Sequence, residues 1–227
     1  AVEIAEEQAI TTVFNLNNYD LIKKRFYYDL AVLGMGCVKN TFNTSEGIKI
    51  EYVDPANIVY SHSDSPYFDD IYYVGEMKTI NLVDLKKEFP NLTDEDLKSI
   101  TKNGGSSYNL FNRYTSRHDK TDNNSIEVLY FNYKTYMNEV YKVKDTASGG
   151  QKIIRKTDAF NPPPIEGLRF ERIAKNVEVI YEGIYIPGSK QLLKWNLCEN
   201  MLREKSDANK VKMNYSIVAP RIYNGSV

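Results

Sequence analysis

Residues 51–66 read EYVDPANIVYSHSDSP, and whether their carboxylates bind, catalyse or turn the chain decides how the sequence around them folds. Val53-Asp54-Pro55-Ala56-Asn57 and Ser61-His62-Ser63-Asp64-Ser65-Pro66 are both rich in chain breakers, while Ile58-Val59-Tyr60 between them is apolar and largely β-branched. The stretch therefore reads as a short strand between two turns. Pro55 fixes its own φ and pushes Asp54 toward extended backbone, and the Asp54 and Asn57 side chains are placed to cap nearby amides. Asp54 and Pro55 are expected to be a structural turn.

Working outward, Ile48, Ile50 and Tyr52 alternate with Lys49, Glu51 and Val53, a period of two that predicts a strand running into Asp54-Pro55. Before it, Ile4, Ala5, Ala9, Thr12, Val13 and Leu16 fall near a helical period, with Glu3, Glu6 and Glu7 at the amino end where the helix dipole favours them. A second helix begins after Asn17 or Asn18 and carries Ile22, Phe26, Leu30 and Leu33 as its buried stripe. Gly34 and Gly36 punctuate its end or mark close packing, and the apolar stretch 31–38 leaves a continued buried helix open.

After the Ser/Asp/Pro loop, the pattern predicts a strand over 71–77 and a helix over 82–89 that Pro90 ends. Thr93 with Asp96 forms a capping box before a helix through Leu97 and Ile100. Residues 103–125 read as an exposed loop. Strands are expected at 126–133 and 139–144, with a turn at Ser148-Gly149-Gly150 into a third at 152–156. Pro162-Pro163-Pro164 enforces an extended piece and marks a boundary. Beyond it come a strand over 177–186 with Gly183 as a bulge, a hairpin return over 190–195, and a strand over 213–219.

The fold class is thus α+β, with amino-terminal helices followed by mostly antiparallel strands and short inserted helices. The expected segments are 1–46, helical; 47–160, an α+β segment with a strand meander; and 161–227, a hairpin and connecting segment.

Composition bounds the function. A 227-residue chain with 42% apolar residues can fill a core, and Tyr is abundant, 18 against nine Phe and one Trp, which suits half-buried sheets and subunit contacts. Basic and acidic groups number 29 and 30, so the net charge of -1 gives no global attraction to nucleic acid or anionic lipid. Any DNA contact must be local. No apolar run approaches the ~20 residues that span a bilayer, and the acidic start AVEIAEEQAI lacks the basic charge of a secretory signal, so a soluble chain without membrane partners is expected. Ala1 at the head of a helix and the uncapped end PRIYNGSV read as a fragment of a longer protein. Cys37 and Cys198 have no CxxC spacing, and a reducing compartment is expected.

Chemical motifs are sparse. His62 and His118 lie in separate polar loops, and a metal site would require the fold to join them to Asp64 or Asp119. Asp69-Asp70 flanks a strand, and Asp94-Glu95-Asp96 is accounted for by the capping box. LGMG at 33–36 lacks the remaining glycine and preceding strand of a dinucleotide loop, and no GKS or GKT triplet exists. Neither an enzyme nor a cofactor is expected. The local basic stretch is 142–156, KVKDTASGGQKIIRK, where five Lys or Arg accompany one Asp; Lys152, Arg155 and Lys156 are the candidate DNA contacts.

The helix end YYDLAVLGMGCVKNTFN, followed by GIKIEYVDPANIVYSHSDSPYFDDIYYVGE and LVDLKKEFPNLTDEDL, resembles the portal proteins of tailed bacteriophages, particularly podovirus-like and crAss-like ones. The resemblance falls on Gly34, Gly36, Val53, Asp54, Pro55, Ile58, Val59, Asp64, Asp70, Glu76 and Pro90 and covers residues 20–100. It implies a non-catalytic subunit of a head-to-tail connector ring of about twelve copies at the capsid vertex. Double-stranded DNA would pass through that ring during packaging and ejection, and terminase, capsid and tail proteins would dock on it. By the same resemblance the segment belongs to the peripheral wing, located in the virion at the portal vertex and in the host cytoplasm during assembly. Another virion connector or tail component, a carbohydrate-processing enzyme using exposed Asp residues, and a Tyr-rich binding module are the alternatives.

Overall fold

The computed structural model describes residues 2–45, 47–104, 125–145, 149–161 and 170–220. Two helices open the chain, α1 at Val2–Leu16 and α2 at Tyr19–Val32. The break between them is made by Asn18 in the left-handed region (φ 49), a conformation that Asn tolerates better than most residues. Helix α2 stops at Val32, so the apolar run that follows does not extend it. Gly34 takes φ 78 and donates its N–H to the Asp29 carbonyl, and a Cβ on Gly36 would lie 2.7 Å from the Phe26 ring. One glycine turns the chain and the other lets α2 sit on it.

From there the chain is mostly antiparallel sheet. Strands β1 (Gly36–Asn43) and β2 (Gly47–Val53) form a hairpin, and β11 (Tyr215–Val218) returns from the far end of the sequence to pair with β1, in the order β11-β1-β2. A six-stranded sheet runs β3 (Ile58–Tyr60), β4 (Tyr73–Asn81), β5 (Ser125–Asp145), β7 (Phe170–Ile186) and β8 (Gln191–Leu197), with β6 (Gln151–Lys156) also on β5. A two-stranded piece, β9 (Leu202–Arg203) and β10 (Val211–Lys212), lies against β7. With four α-helices among the described residues, the class is α+β as the sequence patterns predict. The three expected segments share sheets, because β1, β2 and β11 come one from each.

Among the described residues, three cores hold these layers. Cys37, Val53, Tyr215 and Ile217 of the small sheet pack on Ile58, Phe68, Ile71 and Val74 of the β3–β4 region. Helices α3 (Leu82–Glu88) and α4 (Asp94–Gly104) cover one end of the large sheet, where Leu85 and Ile100 pack on Ile126, Val128, Ile184 and Ile186. The third joins Ile180, Cys198 and Val211. Both cysteines are free thiols.

Several expectations change. Residues 126–133 and 139–144 are one continuous strand, β5, rather than two. Gly183 is no bulge: it pairs in register with Phe131 and Trp195, and the irregularity falls between Ile184 and Tyr185. Gly183 is small because a Cβ there would sit 2.4 Å from the Phe131 ring. Helix α1 buries none of its residues, and the α2 stripe is only half covered, with Leu33 52% exposed. The expected loop at 103–125, the triproline and the tip at Ser148 fall largely or wholly outside the described residues.

Candidate functional site

One carboxylate of the opening stretch, that of Asp54, holds backbone. Asp54 sits at the amino end of the short 3-10 helix Pro55–Asn57, and its Oδ1 accepts the Ala56 N–H at 2.9 Å. Asp70 accepts the Asp64 N–H at 2.9 Å and the Ser63 hydroxyl, while Ser61 Oγ accepts the Tyr72 N–H at 3.0 Å. Partial burial pushes the Asp70 carboxyl up, but the Ser63 and Asp64 hydrogen bonds, with His62 nearby, outweigh it and hold Asp70 below the ordinary carboxylate range. His62 and Asp64 form an exposed pair at 3.2 Å. Thr93 and Asp96 make the reciprocal bonds of a capping box, and Asp94 pairs with Lys86 at 2.6 Å. His118 and Asp119 lie outside the described residues, among which no three His, Cys, Asp or Glu side chains converge as a metal site.

Between the two sheets lies a layer of charge that the sequence patterns do not reveal. Glu76 is 8% exposed, with Lys78 Nζ 3.1 Å from its Oε2 but in no hydrogen-bonding geometry. Lys39 faces it from β1, its ammonium 5.1 Å from the Tyr215 ring centre. Burial, then the neighbouring Lys78, lowers the Lys39 pKa; burial, then Glu76, pushes the Tyr215 hydroxyl and the Cys37 thiol up. Burial and the nearby carboxylate keep the Cys37 thiol protonated, so it presents no thiolate.

The candidate DNA contacts sit on an arm in which β5, β6 and the first half of β7 run beyond the packed sheets. Side chains alternate across a strand, and the register divides this arm cleanly. Lys142 opposes Arg172 on β7, Lys144 opposes Lys152 on β6, and Lys156 opposes Val140, so all five cations share one face. Arg155 is on the other face, opposite Tyr141, where it pairs with Glu139 at 2.9 Å. Lys152 and Lys156 are thus brought together, and Arg155 is separated from them and neutralised. Arg172 is the member the sequence reading missed, since only the strand register places it there.

On the Arg155 face a cleft of about 470 Å³ runs between Tyr141, Val143, Ile153, Ile173, Lys175 and Arg203. Elsewhere on the large sheet, Phe131, Tyr133 and Tyr181 surround Trp195, which stacks on Tyr181 at 5.2 Å and is 42% exposed. No protein-family model matches the chain, and no curated protein matches it.

Proposed function

We propose that this chain is a non-catalytic subunit of a self-assembling particle, and specifically that it serves in a phage portal ring of about twelve copies that gives DNA a passage. The observation that carries the reading is α1. Fifteen residues of helix bury none of their side chains, and Val2, Ile4, Ile10 and Leu16 are each more than half exposed. An isolated helix of this length is marginal in water, and an apolar surface of this kind is characteristic of a contact face. The adjoining α2 adds Leu21, Tyr28 and Val32 to the exposed apolar surface.

The resemblance of residues 20–100 to portal proteins supplies the particular assembly, with terminase, capsid and tail proteins as its further partners and the virion vertex as its place. A glycan-processing reading has less support, because Asp54, Asp64, Asp70, Asp94 and Asp96 are each engaged in caps, loop bonds or ion pairs. The test is native mass spectrometry and electron microscopy of the full-length protein. Closed rings of about twelve subunits with a central channel are expected, and a chain that stays monomeric at high concentration and hydrolyses a glycan overturns the proposal.

A further inference from the structure

We propose that the lysine face of the β5–β6–β7 arm binds the phosphate backbone of nucleic acid, an inference that stands independently of ring assembly. Its basis is register. Like charges placed directly opposite one another in an antiparallel ladder repel, yet here two such pairs, Lys142 with Arg172 and Lys144 with Lys152, occupy successive rungs of the same face. Lys156 stands one rung further on. A solvated hairpin gains by mixing its charges, and the opposite face of this arm does so with Arg155 and Glu139. The fold sorts cations to one side.

The face is also built rather than loose. Lys142 and Lys156 place their ammonium groups 5.9 and 5.7 Å from the Phe160 ring centre. Arg172 donates to the Phe160 and Asp158 carbonyls at 3.0 and 3.1 Å, which ties the 157–160 turn over the strands. The Asp158 carboxylate lies 3.6 Å from Arg172. Side chains already positioned lose less freedom on binding.

The dimensions suit an extended, repeating anion. Strand spacing and rise make the patch about 10 Å across three strands and about 14 Å along three rungs, a length over which each DNA strand presents several phosphates. Four of the five cations are lysines, point charges that neutralise phosphate without the planar fork that reads a base edge. Binding is therefore insensitive to sequence. An anionic membrane fits less well, because interfacial binders bring apolar side chains to the surface beside their cations. On this face Val140 is fully buried, and Ile154 and Phe160 are half-buried.

The experiment measures fluorescence anisotropy of a labelled DNA duplex, with a single-stranded oligonucleotide and phosphatidylserine vesicles as parallel probes, across a salt series with the full chain. The expected result is nucleic-acid binding whose logarithmic salt slope is about -2 or steeper, since each phosphate neutralised contributes about -0.9 and Lys152 and Lys156 account for two. The variant K152Q/K156Q should lose affinity at least tenfold at low salt and shallow the slope by about 2, whereas R155Q should stay within about twofold. Because Lys156 also contacts Phe160, the single variant K152Q is measured beside it and should shallow the slope by about 1. Equal loss in R155Q and K152Q, a slope unchanged by K152Q, or binding confined to the vesicles each overturns the inference. Duplex and single strand compared show which nucleic acid the face prefers, and retention of either supports it.

Discussion

Asp54 and Asp70 show how far a carboxylate can be read from its neighbours. The Pro after Asp54 announced a turn, and the structure gives that side chain one backbone partner; replacing it by alanine should cost about 0.5–2 kcal/mol in chemical denaturation, as other cap losses do. Asp70 was visible only as half of an acidic pair, because its partners Ser63 and Asp64 come from the loop that precedes it. Its pKa is lowered on folding, so the stabilisation it contributes is complete above the ordinary carboxylate range and is lost as pH falls through the lowered value. Melting curves from roughly pH 6 down to pH 3 should show a steeper loss of stability in the native protein than in D70N, whose amide does not titrate in that window. Equal slopes would mean that Asp70 is not linked to folding.

At the scale of elements, Asn17 does what no motif predicts. Its carboxamide donates to the Ile48 carbonyl and accepts the Ile50 N–H, both at 2.9 Å, so one side chain takes the place of a strand along the open edge of β2 while also bonding the Val13 carbonyl at 2.8 Å. Asn17→Ala should therefore lose about 1–3 kcal/mol and make the protein more prone to associate through that edge. Asn17→Asp should be no better, since a carboxylate would face the Val13 and Ile48 carbonyls without a proton to offer; a variant as stable as the native protein would refute the role. The sequence marked the break at Asn17-Asn18 but not this bridge, because a contact over 31 residues leaves no local trace. Element positions were legible where local patterns were strong: α3 and β2 lie close to where their patterns put them, although in β2 the fully buried residue is Val53 and Ile48 on the other face is half exposed. The unity of β5 was not, because beyond the packed sheets both faces of the strand are partly exposed, and the alternation that identifies a strand comes from burying one of them. Gly183 was misread for a related reason: glycine in a strand signals either a bulge or a close approach, and only the Phe131 ring on the neighbouring strand decides. Adding its missing methyl in G183A should cost about 1–3 kcal/mol, as overpacking does.

Across the whole molecule, stability and assembly should be separable, because they draw on different residues. Leu85 is fully buried where α3 meets the large sheet, and Leu85→Ala should lower unfolding stability by about 2–5 kcal/mol while leaving the exposed faces chemically unchanged. Ile4 and Ile10 on α1 are 60% and 55% exposed and take part in none of the three cores. Replacing both by Glu should leave stability within about 0.5 kcal/mol, the range of ordinary surface changes. The same replacement puts two charges into any apolar contact that α1 makes, and in the full-length protein it should stop ring formation, because burying an unpaired carboxylate is far costlier than leaving it in water. The two variants are compared by denaturant titration and by native mass at matched concentration. If the I4E/I10E chain forms the same assemblies as the native one, α1 is not the contact face and the assembly must be sought on the aromatic side of the sheet around Trp195. If instead it loses several kcal/mol as a monomer, the helix is part of the folded core in solution, and the surface on which the proposed function rests does not exist.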